Sequence, residues 1–213
     1  DIDQVELTNN ITVYAQWKEK TATLVDGVTF NKTIKVLSGT NNAQYYTSNK
    51  NIISVQKSQN EPDDNVKNSE NSIISTSTSD VPVYAWFEND VIKWWSEAKV
   101  IFINEKMNSM FSDCKALTSV DVSGWNTASV TDMHYMFYNC QTLTSVDVSS
   151  WDTSKVTSMD SMFEKCYKLT EINASSWDTS NVTNMDSMFS SCQSLMNTAS
   201  MNNWNILNVT SFN

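Results

Sequence analysis

"MFEKCYKLTEINASSWDTSNVTNM" spans residues 162–185, and its apolar side chains do not follow the spacing of a simple amphipathic helix. Almost the same string occurs again on both sides of it. The pair Met162-Phe163 has counterparts at Met110-Phe111, Met136-Phe137 and Met188-Phe189, each 26 residues from the next. The stretch is therefore one unit of an internal repeat, and this repeat determines how the rest of the chain is interpreted.

Other apolar positions keep the same step and define the length of the unit. A cysteine, a leucine and a tryptophan recur in all four units: Cys114, Cys140, Cys166 and Cys192; Leu117, Leu143, Leu169 and Leu195; Trp125, Trp151, Trp177 and Trp204. Trp204 stands one residue later than the step requires, so the fourth unit contains a single insertion. We predict that the cysteines and tryptophans are ladders of buried core side chains.

A period of this length is typical of leucine-rich-repeat solenoids, in which one unit forms one coil and cannot bury its apolar side alone. In "LTSVDVSGW", residues 117–125, Leu117, Val120 and Val122 alternate with polar residues, which predicts a short strand. Stacked coils would place these strands in parallel, about 4.8 Å apart. The sequence therefore predicts a leucine-rich-repeat solenoid of about four 26-residue coils over residues 110–213.

A small α+β N-terminal domain is predicted over residues 18–80, where it caps the solenoid. Phe30, Ile34 and Leu37 share one face of a predicted helix in this region. Residues 58–72 are polar and contain few apolar side chains, so they predict an exposed loop.

The residues just before the repeat are strongly apolar and aromatic. "VPVYAWFENDVIKWWSEAKVIFIN", residues 81–104, predicts a hairpin that turns at Glu88-Asn89-Asp90, followed by a strand at residues 100–103. The first coil would otherwise expose its interior to water. Residues 81–109 are therefore interpreted as an aromatic β cap.

The repeat unit resembles the BspA-like leucine-rich repeat, which is also known from mycoplasma-type surface lipoproteins. The resemblance rests on the shared Met-Phe, Cys, Leu, Trp and Val-Thr-x-Met positions. "ITVYAQW", residues 11–17, resembles the closing strand of a Listeria–Bacteroides repeat, so residues 1–17 are interpreted as the strand remnant of a preceding β repeat. These resemblances imply an extracellular location on a bacterial cell surface, with the anchor outside the given sequence, and a role in adhesion.

The charge of the chain argues against two classes of partner. Acidic residues number 24 and basic residues 14, which gives a formal net charge of -10. Such a chain would be repelled by nucleic acid and by anionic lipid, so neither is expected as a partner. No apolar run approaches the roughly 18 residues of a membrane-spanning helix, and no direct membrane insertion is expected within this segment.

Neither a metal site nor a catalytic site is predicted. Each cysteine stands alone in its unit, whereas zinc sites use paired ligands. His134 is the only histidine, and the following units have Asp160 and Asp186 at its position, so a nucleophile–histidine pair is unsupported. The chain is predicted not to be an enzyme, and no cofactor is expected.

The outward side chains of the predicted strands form the candidate ligand-binding face. They are Ser119, Asp121, Ser123, Ser145, Asp147, Ser149, Glu171, Asn173 and Ser175. Carboxylates stacked about 4.8 Å apart suit either a hard cation such as calcium or plain solvation, and solvation is favoured. The sequence thus predicts a non-catalytic adhesion module for a protein or glycan ligand on host or other cells. The alternative is a structural spacer that presents other domains of a larger surface protein.

Overall fold

The computed structural model describes residues 18–196 and 198–211. The strand remnant predicted at residues 1–17 lies outside this part of the chain. Within the described residues, no helix combines the length and the apolar character that a membrane crossing requires.

Short strands and two short α-helices make up the regular structure. The strands are β1 (Thr21–Thr23), β2 (Ser54–Lys57), β3 (Tyr84–Glu88), β4 (Val91–Trp95), β5 (Val100–Phe102), β6 (Ser119–Val120), β7 (Trp125–Asn126), β8 (Ser145–Asp147) and β9 (Glu171–Asn173). The helices are α1 (Gly27–Leu37) and α2 (Asp64–Lys67), with 3-10 turns at Glu70–Ser72 and Ala199–Met201.

Consecutive repeat units stack directly on one another through backbone hydrogen bonds. In each of three units a phenylalanine N–H donates to a methionine carbonyl of the next unit: Phe111 to Met136 at 2.8 Å, Phe137 to Met162 at 2.8 Å, and Phe163 to Met188 at 2.9 Å. A second row of contacts consists of parallel bridges that join Lys106, Asp132, Ser158, Asn184 and Ser211. The repeat in the sequence is therefore also a repeat in the backbone contacts.

Phenylalanine rings form a continuous ladder inside the stack. The centroids of Phe111, Phe137, Phe163 and Phe189 follow one another at 5.2, 5.3 and 5.7 Å, with nearly parallel planes. The first three rings are fully buried, and Phe189 at the end of the ladder is partly buried. Removing such side chains from water is the main stabilising contribution, about 1.5–3 kcal/mol for each.

The short strands predicted within the units are present in the first three units, and two of them pair in parallel as expected. Strands β8 and β9 of the second and third units pair in parallel, with Ser145 beside Glu171 and Asp147 beside Asn173. In the first unit, β6 pairs with β2 of the upstream region and belongs to a different sheet. On its other edge β6 lies beside the second unit, where the Thr144 N–H donates to the Thr118 carbonyl at 3.4 Å, so an outward column of Asp121, Asp147 and Asn173 stays a prediction.

The fourth unit lacks the strand of the other units in its described residues. A 3-10 turn at Ala199–Met201 lies near the position that corresponds to β9. The sequence there loses the alternation of apolar and polar residues and contains the single insertion. Trp204 nevertheless stacks on Trp177, with centroids 5.7 Å apart, so the turn absorbs the extra residue and the core keeps its register.

Each unit places two residues other than glycine in the left-handed region. They are Ser109 and Asp113, Tyr135 and Asn139, Ser161 and Lys165, and Ser187 and Ser191, with φ between 50 and 64°. This conformation costs roughly 1–2 kcal/mol per residue. In the first unit, the N–H groups of Ser109 and Asp113 donate to His134 and Tyr138 carbonyls of the next unit, at 3.0 and 2.8 Å. The strained residues thus supply inter-unit hydrogen bonds that offset their cost.

Helix α1 covers the interior of the first unit. Asp26 caps the helix, because its side chain accepts a hydrogen bond from the Thr29 N–H at 3.0 Å. The predicted apolar face is confirmed: Phe30 and Ile34 are fully buried. The Phe30 ring meets the edge of the Phe111 ring at 5.7 Å, so the phenylalanine ladder ends against this helix.

Polar groups of α1 also donate hydrogen bonds to backbone carbonyls at the start of the first unit. The Gly27 N–H, the Asn31 side-chain amide and the Lys35 ammonium donate respectively to the carbonyls of Lys106 at 2.8 Å, Met110 at 3.3 Å and Ser112 at 2.6 Å. In the second unit the equivalent carbonyls of Asp132, Met136 and Tyr138 accept backbone N–H groups from the first unit. Donors four residues apart on one helical face therefore take the place of a preceding repeat unit.

Gly27 permits the close approach of α1 that these bonds require. A Cβ atom at this position would lie 2.3 Å from the Asn108 carbonyl oxygen and 2.7 Å from the Met107 carbonyl group. Both atoms belong to the backbone and cannot rotate away.

Two sheets connect the residues that precede the repeat with the first repeat unit. The predicted hairpin is confirmed as β3 and β4, with Asn89 and Asp90 both at positive φ in the turn. One sheet has the order β3-β4-β2-β6 and another the order β1-β5-β7, so each combines upstream strands with a strand of the first unit. The polar segment 58–72, predicted to be an exposed loop, instead contains α2, which Asp63 caps by accepting from the Val66 N–H, and a 3-10 turn at Glu70–Ser72.

Replacing Lys35 by methionine tests the capping role of α1. The change leaves the carbonyls of Ser112 and Tyr45 without their charged donor, so the free energy of unfolding should fall by about 1–3 kcal/mol in urea titrations. Lys32→Met on the same helix is the matched control and should change it by less than about 0.5 kcal/mol. Equal stability of the Lys35 variant and the unmodified chain would contradict this role.

Candidate functional site

A shallow depression of about 400 Å³ lies on the outward face of β8 and β9. It is lined by Ser145, Val146, Asp147, Glu171, Ile172, Asn173 and Ser200. Val146 and Ile172 are buried and fix the two strands to the core, whereas the alternate side chains of Asp147 and Glu171 are exposed. The paired strands therefore present two carboxylates and their polar neighbours on a rigid base.

The Asp147 carboxylate is held in place by the residue two positions along the chain. Its Oδ1 accepts hydrogen bonds from the Ser149 hydroxyl at 2.7 Å and the Ser149 N–H at 3.0 Å. These bonds lower the pKa of Asp147 below its ordinary value, so the group is ionised at neutral pH. Asn173, its neighbour across the strands, is bonded in a similar way to the Ser175 hydroxyl at 3.2 Å.

The structure brings together four of the nine predicted contact residues in this depression: Ser145, Asp147, Glu171 and Asn173. Ser149 and Ser175 support it from just beyond the strands. The remaining three, Ser119, Asp121 and Ser123, lie in the first unit, where β6 runs beside β2.

Ser200 is a lining residue that the sequence did not indicate. Its hydroxyl donates to the Ile172 carbonyl at 2.7 Å, which holds the 3-10 turn against β9. The insertion in the fourth unit removes Ser200 from the register of the repeat, so no periodic signal marks it.

The cysteines form a ladder of thiols that bond to the backbone. Cys140, Cys166 and Cys192 donate to the carbonyls of Phe111, Phe137 and Phe163 of the preceding units, at 3.1, 3.1 and 3.0 Å. All four cysteines are free. Burial raises the pKa of Cys114 to about 12 and that of Cys192 to about 11, and it raises the pKa of the two middle thiols as well. Cys114, Cys140 and Cys166 are buried as predicted, whereas Cys192 in the fourth unit is only partly buried.

The tryptophans form a second ladder only from the second unit onward. Trp151, Trp177 and Trp204 stack in sequence with centroids 6.4 and 5.7 Å apart. Indole N–H groups of Trp177 and Trp204 donate to Val148 and Ala174 carbonyls of the preceding units at 3.1 and 3.3 Å. Trp125 instead packs against Phe111 and against Trp94 of the β3–β4 hairpin, each at 6.4 Å.

His134 forms a local pair with an aspartate. Its Nδ1 lies 2.6 Å from the Asp132 Oδ1, and both side chains are about one-third exposed or less. The hydrogen bond to Asp132 raises the pKa of His134 above its ordinary value. Within residues 18–196 and 198–211, no group of three or more histidine, cysteine, aspartate or glutamate side chains is arranged to hold a metal ion.

One family model matches most of the chain. The family is described as "Mycoplasma protein of unknown function, DUF285", and the matched stretches are residues 47–147 and 105–213. The two stretches overlap and together include the β3–β4 hairpin and all four repeat units. No curated protein and no solved structure gives a significant match to the chain.

The thiol ladder predicts unequal reactivity of the four cysteines. A thiol-exchange reagent at pH 8 should leave Cys114, Cys140 and Cys166 unmodified in the native chain, because buried thiols with raised pKa values supply little thiolate. Partly buried Cys192 should react slowly, and Cys192→Ser should abolish the native reaction. All four should react in denaturant. Rapid modification of every cysteine in the native chain would be inconsistent with the ladder.

The His134–Asp132 pair predicts a titration that NMR can follow without ambiguity, since His134 is the only histidine. Its pKa in the native chain should lie above the ordinary 6.5, and Asp132→Asn should lower it. Asp160→Asn is the control and should lower it less, because Asp160 contributes only charge at longer range.

The same pair gives a direction for the pH dependence of stability. A raised pKa in the folded state means that the pair stabilises the fold fully below pH 6.5 and less as the pH rises through the native pKa. A native pKa at or below 6.5 would contradict both expectations.

Proposed function

We propose that this chain, which belongs to the DUF285 family of Mycoplasma proteins of unknown function, is a non-catalytic binding module. The observation that carries the proposal is the depression on β8 and β9, where exposed carboxylates stand on a rigid base of stacked units. Binding residues on a rigid scaffold lose little conformational freedom when a partner docks.

The charge of this face favours a protein partner with lysine or arginine side chains. Asp147 and Glu171 are both exposed, and no lysine forms a salt bridge with either of them among the described residues. The net charge of -10 draws a basic surface toward the chain and accelerates the encounter. Polar side chains of Ser145, Asn173 and Ser200 are placed to hydrogen-bond the same partner.

The proposal places the stack among leucine-rich-repeat solenoids of the BspA-like kind. The 26-residue period, the parallel β8–β9 pair and the inter-unit hydrogen bonds support this assignment. This assignment implies an extracellular location on a bacterial cell surface and a role in adhesion to host or neighbouring cells. The resemblance of residues 11–17 to a Listeria–Bacteroides repeat supports the same location.

A structural spacer is the second candidate, and the regular bonding between units favours it. Every junction of the stack repeats the same phenylalanine-to-methionine hydrogen bond and the same ring stacking. A stack held in this way can separate the domains at its two ends without binding a ligand of its own.

Neutralising the two carboxylates separates the candidates. The purified chain is tested against cultured epithelial cells and a panel of purified extracellular-matrix proteins. Asp147→Asn with Glu171→Gln keeps the shape of the depression, and it should weaken binding about tenfold, equivalent to about 1.4 kcal/mol. The matched control is Asp152→Asn with Asp178→Asn, which removes two exposed carboxylates of neighbouring units outside the depression and should have little effect.

Two outcomes would contradict the binding proposal. One is that the unmodified chain binds neither the cells nor any matrix protein. The other is that the double variant Asp147→Asn with Glu171→Gln binds as well as the control, which would favour the spacer.

A further inference from the structure

The hairpin of β3 and β4 has two chemically different sides. Its inward residues Val83, Ala85, Ile92 and Trp94 are buried in the common core. Tyr84 and Trp95 point the other way, lie directly opposite each other across the strands, and are only partly buried. The inward side is explained by its packing against the repeat, but this packing does not account for the outward aromatic rings of Tyr84, Trp86 and Trp95.

A cavity of about 150 Å³ opens between this outward side and the segment around α2. Tyr84, Trp95, Val81 and Pro82 give it apolar walls, and Glu61, Lys67 and Glu97 form its polar edge. It is smaller than the roughly 300–1,000 Å³ of pockets for drug-sized ligands, so it fits a single small ring. Apolar walls with a few convergent polar groups are the general composition of small-molecule sites.

The charged groups at the edge of the cavity are already paired. Lys67 Nζ lies 2.7 Å from Glu61 Oε1, and Lys20 Nζ lies 2.6 Å from Glu97 Oε2. The Lys67 ammonium opposes a cationic ligand, and the two carboxylates oppose an anionic one. A ligand that suits this edge is therefore neutral and carries groups that both donate and accept hydrogen bonds.

We propose that this cavity binds one neutral pyranose ring of a glycan. The apolar C–H face of the sugar packs against Tyr84 and Trp95, while its hydroxyl groups donate to Glu61 and Glu97 and accept from Lys67. This site goes beyond the proposed function, because it lies on the upstream hairpin and takes a different class of ligand from the β8–β9 face. The chain then carries two separate contact surfaces.

The experiment uses the full chain and simple probes. Saturation-transfer NMR measures binding of the methyl glycosides of glucose, galactose and N-acetylglucosamine at millimolar concentration, with choline as the cationic comparator and inorganic phosphate as the anionic one. At least one glycoside should bind, and neither charged comparator should compete with it. Binding by none of the three glycosides, or stronger binding of choline or phosphate, would overturn the proposal.

Substitutions locate the site. Trp95→Ala should weaken glycoside binding about tenfold, and Trp86→Ala, an outward aromatic change on the same hairpin outside this cavity, should stay within about twofold. Glu97→Gln does not alter the core and should weaken glycoside binding about threefold. This variant tests the site if Trp95→Ala does not fold. Equal binding by the unmodified chain and Glu97→Gln or a folded Trp95→Ala variant would overturn the assignment.

The two binding proposals fail independently. The Asp147→Asn and Glu171→Gln variant should keep glycoside binding unchanged, and Trp95→Ala should keep binding to the protein panel unchanged. Loss of glycoside binding in the β8–β9 variant would overturn the placement of the sugar site on the hairpin.

Discussion

The hydrogen bond from the phenylalanine N–H of one unit to the methionine carbonyl of the next is the contact on which the rest of the stack depends. It sets the spacing of the aromatic ladder, whose rings are 5.2 to 5.7 Å apart. It also brings each thiol from Cys140 onward within 3.0 to 3.1 Å of a phenylalanine carbonyl in the unit before it. The left-handed residues on either side, such as Ser109 and Asp113, point their N–H groups in the same direction. A shift of one residue would therefore break backbone and side-chain contacts together.

Because the carbonyls of each unit accept hydrogen bonds from the unit before it, the first unit has carbonyls for which no earlier unit supplies a donor. Unpaired buried carbonyls are costly, about 1–3 kcal/mol each. Helix α1 resolves the problem with Gly27, Asn31 and Lys35, whose donors match the spacing of the carbonyls. Burial lowers the pKa of Lys35, while its carbonyl partners and the nearby charge of Asp113 favour the ammonium form. The buried lysine is thus part of the cap.

The sequence predicted the features that depend on repetition or local pattern. The period predicted the cysteine ladder and the tryptophan ladder, which is present from the second unit onward, and alternation predicted the hairpin and the short strands. The sequence did not predict that Asn31 and Lys35 are buried, because polar residues on a helix normally indicate its solvent-facing side. The pairing of β6 with β2 is a long-range contact that no local pattern encodes. The cavity beside Trp95 was missed for the same reason, since it combines residues distant in the chain, and Ser200 was missed because the insertion removes it from the register of the repeat.

The equivalence of the junctions between units also bears on how such a protein changes in evolution. An in-frame duplication or deletion of one whole unit within the array recreates junctions that already exist, so recombination between the repeated gene segments would alter the length without designing a new interface. The same argument does not extend to α1 or to the altered fourth unit, because neither has a second copy in the given sequence. Variation in number is therefore expected to accumulate between them, in the middle of the array.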